Sequence, residues 1–209
     1  FILADISGSI DGGTRGVSKR DRITELAAVL AFSAMGNNDK VGAILFSDRI
    51  EKFIPPKKGK SHVLRIIREI IEIEPEGKGT DITNALDHFL SAMKKRTVSF
   101  LLSDFRDSGY EDLLKRAGRK HDFVALKIED PIDLDIPDVG WLPLKDHESG
   151  ETKWMRTGSK KDRIRYRARE VERSDSLKRA FARAGIDSTT IRTDQPYVKP
   201  LMQLFDRRG

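Results

Sequence analysis

The amino-acid sequence predicts an α/β fold: a three-layer, doubly wound sandwich around a mostly parallel sheet, with one antiparallel edge strand and a β-hairpin insertion. Three observations support this prediction. Short apolar runs alternate with segments of helical periodicity, the run at 41–46 is continuously apolar, and only a short gap separates it from the next run. At 209 residues the chain has the length of one domain, so we expect a single domain over residues 1–209 with an insertion at about 130–160.

The predicted strands and helices follow one another along the chain. The opening strand covers residues 1–4, and Ser18 with Asp21 can cap the helix that follows it. Strands at 41–46 and 50–54 are close enough to form an antiparallel hairpin across the turn residues Ser47 and Asp48. The remaining predictions are helices marked by residues 63–71 and 82–93, a strand at 98–102, a helix near 110–119, a strand at 123–128, a long helix from about 160, a strand at 188–192 and a helix carrying residues 198–205.

Residues 130 to about 161 break this alternation. The segment is rich in Pro, Asp and Gly, and the stretches at 141–144 and 152–155 flank Ser149-Gly150. Two short apolar stretches on either side of a Gly-containing turn are typical of a β-hairpin. We therefore expect a hairpin insertion here.

Composition narrows the classes of function. The chain has no cysteine, so disulfides and thiolate metal sites are excluded, and any metal must be held by oxygen or histidine. The net charge of +6 is too small to imply nucleic-acid binding. Basic residues are concentrated between Lys153 and Arg183, with 12 Lys or Arg against 4 Asp or Glu. A solvated helix face with intrahelical ion pairs is the simpler interpretation of this segment, and an acidic partner or a phosphate backbone is the alternative.

Oxygen-bearing side chains lie in three loops: one after the first predicted strand, one before the helix at 82–93 and one after the strand at 98–102. The candidate ligands are Asp5, Ser7, Ser9, Thr80 and Asp104. In an open parallel sheet, loops at the carboxyl ends of neighbouring strands converge into one crevice. Two carboxylates and three hydroxyls suit a hard divalent cation such as Mg²⁺, and the same ligand types also suit Mn²⁺ or Ca²⁺.

Two further aspartates adjoin these loops. We interpret Asp81 first as the N-cap of the third helix, and both Asp81 and Asp107 as residues that can orient the ligand hydroxyls from the rim of the site. The histidines lack metal-binding spacing and form no visible catalytic triad, so we interpret all four as structural or surface residues. They are His62, His88, His121 and His147.

The candidate ligands resemble a known site. The motif Asp5-x-Ser7-x-Ser9, Thr80 after Gly79 and Asp104 after Ser103 are similar, in order and interval, to the complete metal-ion-dependent adhesion site of von Willebrand factor A domains. The resemblance is strongest to the bacterial domain-of-unknown-function fifty-eight proteins, in which a Glu-x-Gly-Glu hairpin insertion corresponds to residues 146–151 here. It implies a Rossmann-like fold in which the three hydroxyls bind the metal and the two aspartates bind it directly or through water.

This chemistry favours binding over catalysis. Three neutral hydroxyls and two carboxylates leave the cation electrophilic, with an exchangeable position for an Asp or Glu of another protein. We therefore expect a metal-dependent protein-interaction module rather than an enzyme. The family resemblance implies partners such as MoxR-type AAA+ ATPases and a role in assembling or maturing other complexes.

Two other functions remain open from the sequence. A Mg²⁺-dependent phosphohydrolase can also use an Asp at the end of the first strand, but it needs a second Asp where this chain has Ser7. Nucleic-acid binding through the basic helix at about 160–183 is disfavoured for single strands because few aromatic residues lie there to stack on bases.

Localisation follows from the same resemblance. The sequence contains neither a signal peptide nor an apolar run of about 20 residues, the length that a membrane-spanning helix needs. It starts directly with a strand and without Met, so we expect a longer chain. We expect a cytoplasmic domain, held at the cytoplasmic face of a bacterial inner membrane by an upstream anchor outside this sequence.

Overall fold

A computed structural model describes residues 1–10, 16–145 and 152–208, without the side chains of residues 9, 142–145, 152, 153 and 155. Its elements are β1 (Ile2–Asp5), α1 (Lys19–Gly36), β2 (Val41–Phe46), β3 (Ile50–Lys57), α2 (Lys60–Glu72), α3 (Ile82–Ala92), β4 (Val98–Ser103), α4 (Glu111–Lys120), β5 (Asp122–Glu129), α5 (Pro131–Leu134), β6 (Trp141–Lys145), β7 (Thr152–Arg156), α6 (Lys160–Ala184), β8 (Asp187–Arg192) and α7 (Val198–Asp206). A short 3₁₀ helix, Gly8–Ile10, follows β1.

Six of the strands form one twisted sheet in the order β3-β2-β1-β4-β5-β8. All neighbouring pairs are parallel except β2 and β3, which pair antiparallel at the edge. Strand β1 lies in the centre, with Ala4 opposite Leu45 of β2 and Leu102 of β4. The predicted fold class, a mostly parallel sheet with one antiparallel edge strand, is confirmed.

Helices cover both faces of this sheet. Side chains alternate between the faces along a strand, so Ile2 and Ala4 of β1 face one core while Leu3 faces the other. The first core includes Leu26 of α1, Ile66 of α2 and Leu201 of α7. The second core includes Phe89 of α3, Leu114 of α4 and Phe181 of α6. Burial on both faces is the physical reason why the central strands read as continuous apolar runs.

The largest differences between the structure and the sequence prediction are at β3 and α5. Strand β3 continues to Lys57 through Pro55 and Pro56, three residues beyond the predicted end. Proline is tolerated there because β3 is an edge strand, whose outer N–H groups need no partner strand. The four-residue helix α5, capped by Asp130, was not predicted, because its apolar content is too small to show a periodic pattern.

The predicted insertion forms a separate two-stranded antiparallel sheet of β6 and β7, with Trp141 opposite Arg156. Its turn, which carries the residues compared with the family's Glu-x-Gly-Glu motif, lies outside the described residues. Within the part of the chain that the structure describes, no helix is both long and apolar enough to cross a membrane.

Candidate metal centre

The carboxyl ends of β1 and β4 bring two predicted ligands to one edge of the sheet. Asp5 is the last residue of β1, and Asp104 directly follows Ser103, the last residue of β4. These strands are parallel neighbours, so both carboxylates emerge at the same edge. Both are buried, with 0% exposure at Asp5 and 1% at Asp104.

Asp5 is held by hydrogen bonds alone among the described residues. The backbone N–H of Ser7 donates to its Oδ1 at 3.0 Å, and the hydroxyl of Ser103 donates to its Oδ2 at 2.6 Å. No described Lys or Arg pairs with it, and burial together with the nearby charge of Asp104 raises the pKa of Asp5 to about 7. A buried carboxylate without a counter-charge is a strong electrostatic attractor for a cation.

Two of the predicted hydroxyl ligands meet beside Asp5. The hydroxyl of Thr80 donates a hydrogen bond to the Ser7 hydroxyl at 2.8 Å, although 73 residues separate them in the chain. Ser7 is fully buried. A cation that binds one of these oxygens therefore has the other within its reach.

Ser9 lies in the 3₁₀ helix after β1, on the same connection as Ser7. Its side chain is outside the described part of the structure. Its role as a metal ligand stays a prediction.

The loop that carries Thr80 is anchored by Asp48 of the β2–β3 turn and by Glu51 near the start of β3. Oδ2 of Asp48 accepts hydrogen bonds from the backbone N–H groups of Lys78 and Gly79, both at 3.1 Å. Oε1 of Glu51 accepts one from the N–H of Gly77 at 2.9 Å. The sequence did not predict either anchor, since turn aspartates have many local uses and nothing local to Glu51 indicates a contact with Gly77.

The two rim aspartates both hold the start of α3. Asp81 is its N-cap, and its carboxylate accepts a hydrogen bond from the N–H of Asn84 at 2.8 Å, which confirms the predicted cap. Asp107 reaches the same helix from the β4–α4 loop and accepts a hydrogen bond from the N–H of Ile82 at 2.8 Å. These contacts tie two of the loops around the candidate site to each other.

Asp104 differs from Asp5 in having cationic partners. Lys19 Nζ lies 2.9 Å from its Oδ2, and Arg106 Nε lies 3.9 Å from the same oxygen. Burial alone would raise the pKa of Asp104, but the charges of Lys19 and then Arg106 outweigh burial and lower it. Neither cation was part of the sequence prediction, and no local pattern around Lys19 indicates that it reaches a strand end 85 residues away.

The residue after Asp104 adopts an unusual backbone conformation. Phe105 has φ of 55°, the left-handed region that costs a non-glycine residue about 1–2 kcal/mol. Its N–H donates to the Ser103 hydroxyl at 3.0 Å, and its buried ring packs edge-on against Phe181 at 5.0 Å. These contacts hold the turn that directs Asp104 into the site.

The donor chemistry fits a hard divalent cation. The cluster presents carboxylate and hydroxyl oxygens only, which are the ligands that Mg²⁺ prefers. Within the described ranges, no group of three or more His, Asp or Glu residues assembles that could hold a metal by itself. A metal at this edge would therefore depend on the hydroxyls of Ser7 and Thr80.

The three described histidines agree with a structural interpretation. His62 hydrogen-bonds to the carbonyl of Val41 at 3.0 Å, and His88 packs edge-on against Phe53. His121 is buried against Phe89, with 4.7 Å between ring centroids. His147 lies outside the described residues.

The basic segment forms α6, and several of its cations are paired. Arg173 with Glu170 and Lys178 with Asp175 form ion pairs three residues apart on the helix, at 3.1 and 3.4 Å. Arg167 pairs with Asp135 of the insertion at 3.4 Å. These pairs are those expected of a solvated helix face.

Similarity to solved structures places this architecture in a known class. The chain is similar to the conserved hypothetical protein BatB from Bacteroides thetaiotaomicron, with a TM-score of 0.64, 19% identity and coverage of 99% of this chain and 96% of that one. An aerotolerance-related membrane protein from Bacteroides fragilis gives a TM-score of 0.64 at 18% identity, covering 99% and 97%. The SpRpn10 VWA domain gives 0.58 at 10% identity, covering 99% and 92%. The fold is thus that of the von Willebrand factor A class.

The chain belongs to the family described as "Protein of unknown function DUF58", whose model matches residues 1–176. Curated relatives include the uncharacterized proteins Rv1480 of Mycobacterium tuberculosis and Mb1516 of Mycobacterium bovis, each 26% identical over 211 residues. This chain is covered completely in both matches and spans 66% of the length of each relative. The uncharacterized protein MAV169 of Mycobacterium avium is 23% identical over 158 residues, 74% of this chain and 93% of that protein.

Proposed function

We propose that this domain is a non-enzymatic, metal-dependent protein-interaction module, in which a Mg²⁺-type ion binds an Asp or Glu of a partner protein. The proposed ligands are Asp5, Ser7, Ser9, Thr80 and Asp104. The observation that carries the proposal is the meeting of the Ser7 and Thr80 hydroxyls, 2.8 Å apart, beside a buried carboxylate that has no cationic partner among the described residues. The oxygen ligands suit Mg²⁺, and Mn²⁺ or Ca²⁺ could replace it.

Each part of the site has a physical role in this proposal. Asp5 supplies negative charge, and the hydrogen bonds from Ser7 N–H and Ser103 hydroxyl fix its orientation. The Ser7 and Thr80 hydroxyls supply neutral oxygens, which leave the ion electrophilic. The bound ion would supply a coordination position for a carboxylate. The loop anchored by Asp48 and Glu51 keeps Thr80 in place while a partner approaches.

Binding is favoured over phosphoryl transfer. A phosphotransfer site that uses an Asp at the end of the first strand needs a second carboxylate two residues later, where Ser7 stands. The other carboxylate at this edge, Asp104, is already engaged by Lys19 and Arg106. The remaining donors are hydroxyls, which can hold an ion for a partner without acting as acceptors of a phosphoryl group.

We further propose a MoxR-type AAA+ ATPase as the partner and a location at the cytoplasmic face of a bacterial inner membrane. The family resemblance supports the first proposal. The second is supported by the similarity to the Bacteroides fragilis protein, which is described as a membrane protein. The anchor would lie in a segment outside this sequence.

The proposal is tested by capturing partners from native lysate with the wild-type domain in MgCl₂ and in EDTA. Direct Mg²⁺ binding is measured on the same samples by calorimetry. Thr80→Ala should weaken Mg²⁺ binding about tenfold or more, since a lost ligand costs on the order of 1.4 kcal/mol or more. It should reduce partner capture in parallel, and Asp5→Ala should abolish both.

Thr97→Ala is the matched control. Thr97 directly precedes β4, at the end of the strands opposite to the candidate site. Among the described residues its hydroxyl hydrogen-bonds to the carbonyl of Lys95, at 2.9 Å. Metal binding and partner capture should be unchanged in this variant. Partner affinity that is the same in MgCl₂ and in EDTA would rule out the metal bridge.

A further inference from the structure

A buried ion-pair network lies directly behind Asp104. Lys19, the first residue of α1, is only 4% exposed, and its Nζ lies 2.9 Å from Oδ2 of Asp104 and 2.9 Å from Oδ2 of Asp133 on α5. Arg106 approaches the same two carboxylates, at 3.9 Å from Asp104 and 3.2 Å from Asp133. A buried lysine is costly unless its charge is matched, so this arrangement is a specific feature of the fold.

Among the residues that the structure describes, the cations and anions of this network are equal in number. Arg106 also contacts Glu170 of α6 at 3.2 Å, and Arg173 contacts the same carboxylate at 3.1 Å. Its cations are Lys19, Arg106 and Arg173, and its anions are Asp104, Asp133 and Glu170. The charge of Asp104 is therefore already matched before any divalent ion arrives.

Asp5 and Asp104 consequently contribute differently to the candidate site. Asp5 has no described cationic partner, so no ion pair has to be broken before it binds a divalent ion. Asp104 forms an ion pair with Lys19, and the ammonium group of Lys19 also repels an incoming cation at short range. The electrostatic attraction of the site for a cation is therefore weaker than that of two unpaired carboxylates.

We propose that Lys19 is a built-in counter-cation that competes with the divalent ion for Asp104 and keeps the metal affinity of the isolated domain low. This inference rests on the proposed function and deepens it. A partner's carboxylate adds the negative charge that Lys19 cancels, so the ion is held firmly only in the complex. Metal binding and partner binding therefore strengthen each other.

The test measures MnCl₂ binding by electron paramagnetic resonance and MgCl₂ binding by calorimetry on the purified domain without a partner. Lys19→Met removes the charge and keeps most of the side chain's volume. It should tighten both metals about tenfold, the effect of removing one nearby like charge in a partly shielded site. Lys19→Arg keeps the charge and should bind both metals with an affinity within about twofold of the wild type.

Lys127→Met is the matched control for loss of a buried lysine. Lys127 is 6% exposed and pairs with Glu129 at 2.5 Å, on β5, outside the network around Asp104. This variant should lose stability, because it leaves a buried carboxylate unpaired, but its metal affinity should equal that of the wild type.

Melting temperatures measured in EDTA and in MgCl₂ test the proposal even if Lys19→Met folds poorly. Without Lys19, two carboxylates lose a shared counter-charge, so the variant should melt at a lower temperature in EDTA and gain more from MgCl₂ than the wild type does. Folding that appears only on addition of MgCl₂ would support the proposal directly.

The outcomes separate this inference from the function on which it rests. If the wild type binds metal and Lys19→Met binds it equally or more weakly, Lys19 merely positions Asp104 and the counter-cation proposal is overturned. If Lys19→Met alone binds metal, the lysine blocks the site as proposed. If neither protein binds MnCl₂ or MgCl₂, the metal-bridge function and this inference both fail.

Discussion

Asp5 and Asp104 are buried aspartates at the ends of neighbouring strands, yet their surroundings give them opposite electrostatic character. Burial and the proximity of Asp104 raise the pKa of Asp5 to about 7, whereas Lys19 and Arg106 overcome burial and lower the pKa of Asp104. From the sequence motif alone, Asp5 and Asp104 would be expected to be equivalent ligands. Their difference comes from which side chains of other elements pack beside each carboxylate.

Gly77 is a residue whose lack of a side chain is required by its surroundings. A Cβ atom at this position would overlap the Asp48 carboxylate and the Ser47 hydroxyl. Asp48 cannot move away freely, because it accepts the hydrogen bonds from Lys78 and Gly79 that shape the Thr80 loop.

Gly77→Ala should therefore destabilise the domain by about 1–2 kcal/mol and weaken Mg²⁺ binding several-fold by displacing Thr80. Urea unfolding and calorimetry measure the two effects. Gly36→Ala is the control, since a Cβ atom at Gly36 meets no atom within 4 Å. Equal stability of the two variants would show that the loop tolerates the extra methyl group.

At the level of elements, helix α1 places Lys19, in its first turn, next to Asp104 of the candidate site. A capping box fixes where this helix begins: the Ser18 hydroxyl accepts a hydrogen bond from the N–H of Asp21 at 3.0 Å, and the Asp21 carboxylate accepts one from the N–H of Ser18 at 2.8 Å. The sequence predicted this cap correctly. Capping depends on residues three apart in the chain, so a local pattern suffices to show it.

Ser18→Ala should lower the free energy of unfolding by about 1 kcal/mol, the usual effect of losing an N-cap hydroxyl. Urea denaturation followed by circular dichroism measures the change. Ser33→Ala, at an exposed position within the same helix, should leave stability unchanged or raise it slightly, because alanine favours helix interiors. A Ser18→Ala variant as stable as Ser33→Ala would mean that packing alone sets the start of α1.

At the level of the whole molecule, the six-stranded sheet with its two cores is distinct from the two-stranded β6–β7 hairpin. The two ends of the hairpin are already joined by hydrogen bonds: the N–H of Thr157 donates to the carbonyl of Gly140 at 2.6 Å, and the N–H of Val139 donates to the Thr157 hydroxyl at 2.9 Å. Trp141 and Trp154 are 63% and 65% exposed, so these two large side chains of the hairpin belong to neither core.

Replacing residues 141–156 with a short Gly/Ser linker should leave the domain folded, with a melting temperature within about 4 °C of the wild type, the shift expected for about 1 kcal/mol at this size. Circular dichroism and thermal melting check this outcome. A variant that replaces only residues 146–151 keeps both strands and serves as the control. Loss of cooperative melting in the linker variant alone would place the hairpin within the folding unit.

The sequence by itself determined the fold class, the type of nearly every element and the candidate ligands. These follow from local information: helical and strand periodicity, capping residues, and polar side chains placed where strands end. Strand ends were accurate to a residue or two in the centre of the sheet, where continuous apolar runs mark them. The extension of β3 and the short helix α5 carry no such signal.

Only the tertiary structure decided the electrostatic state of the site. The pairing of Lys19 with Asp104 joins residues 85 positions apart, and the anchoring of Gly79 by Asp48 joins residues 31 positions apart. Such contacts depend on how α1 and the loops pack at the edge of the sheet, because charges act through space and not along the chain. The sequence could therefore name the candidate oxygen ligands, while packing decides how much of their charge a metal ion would meet.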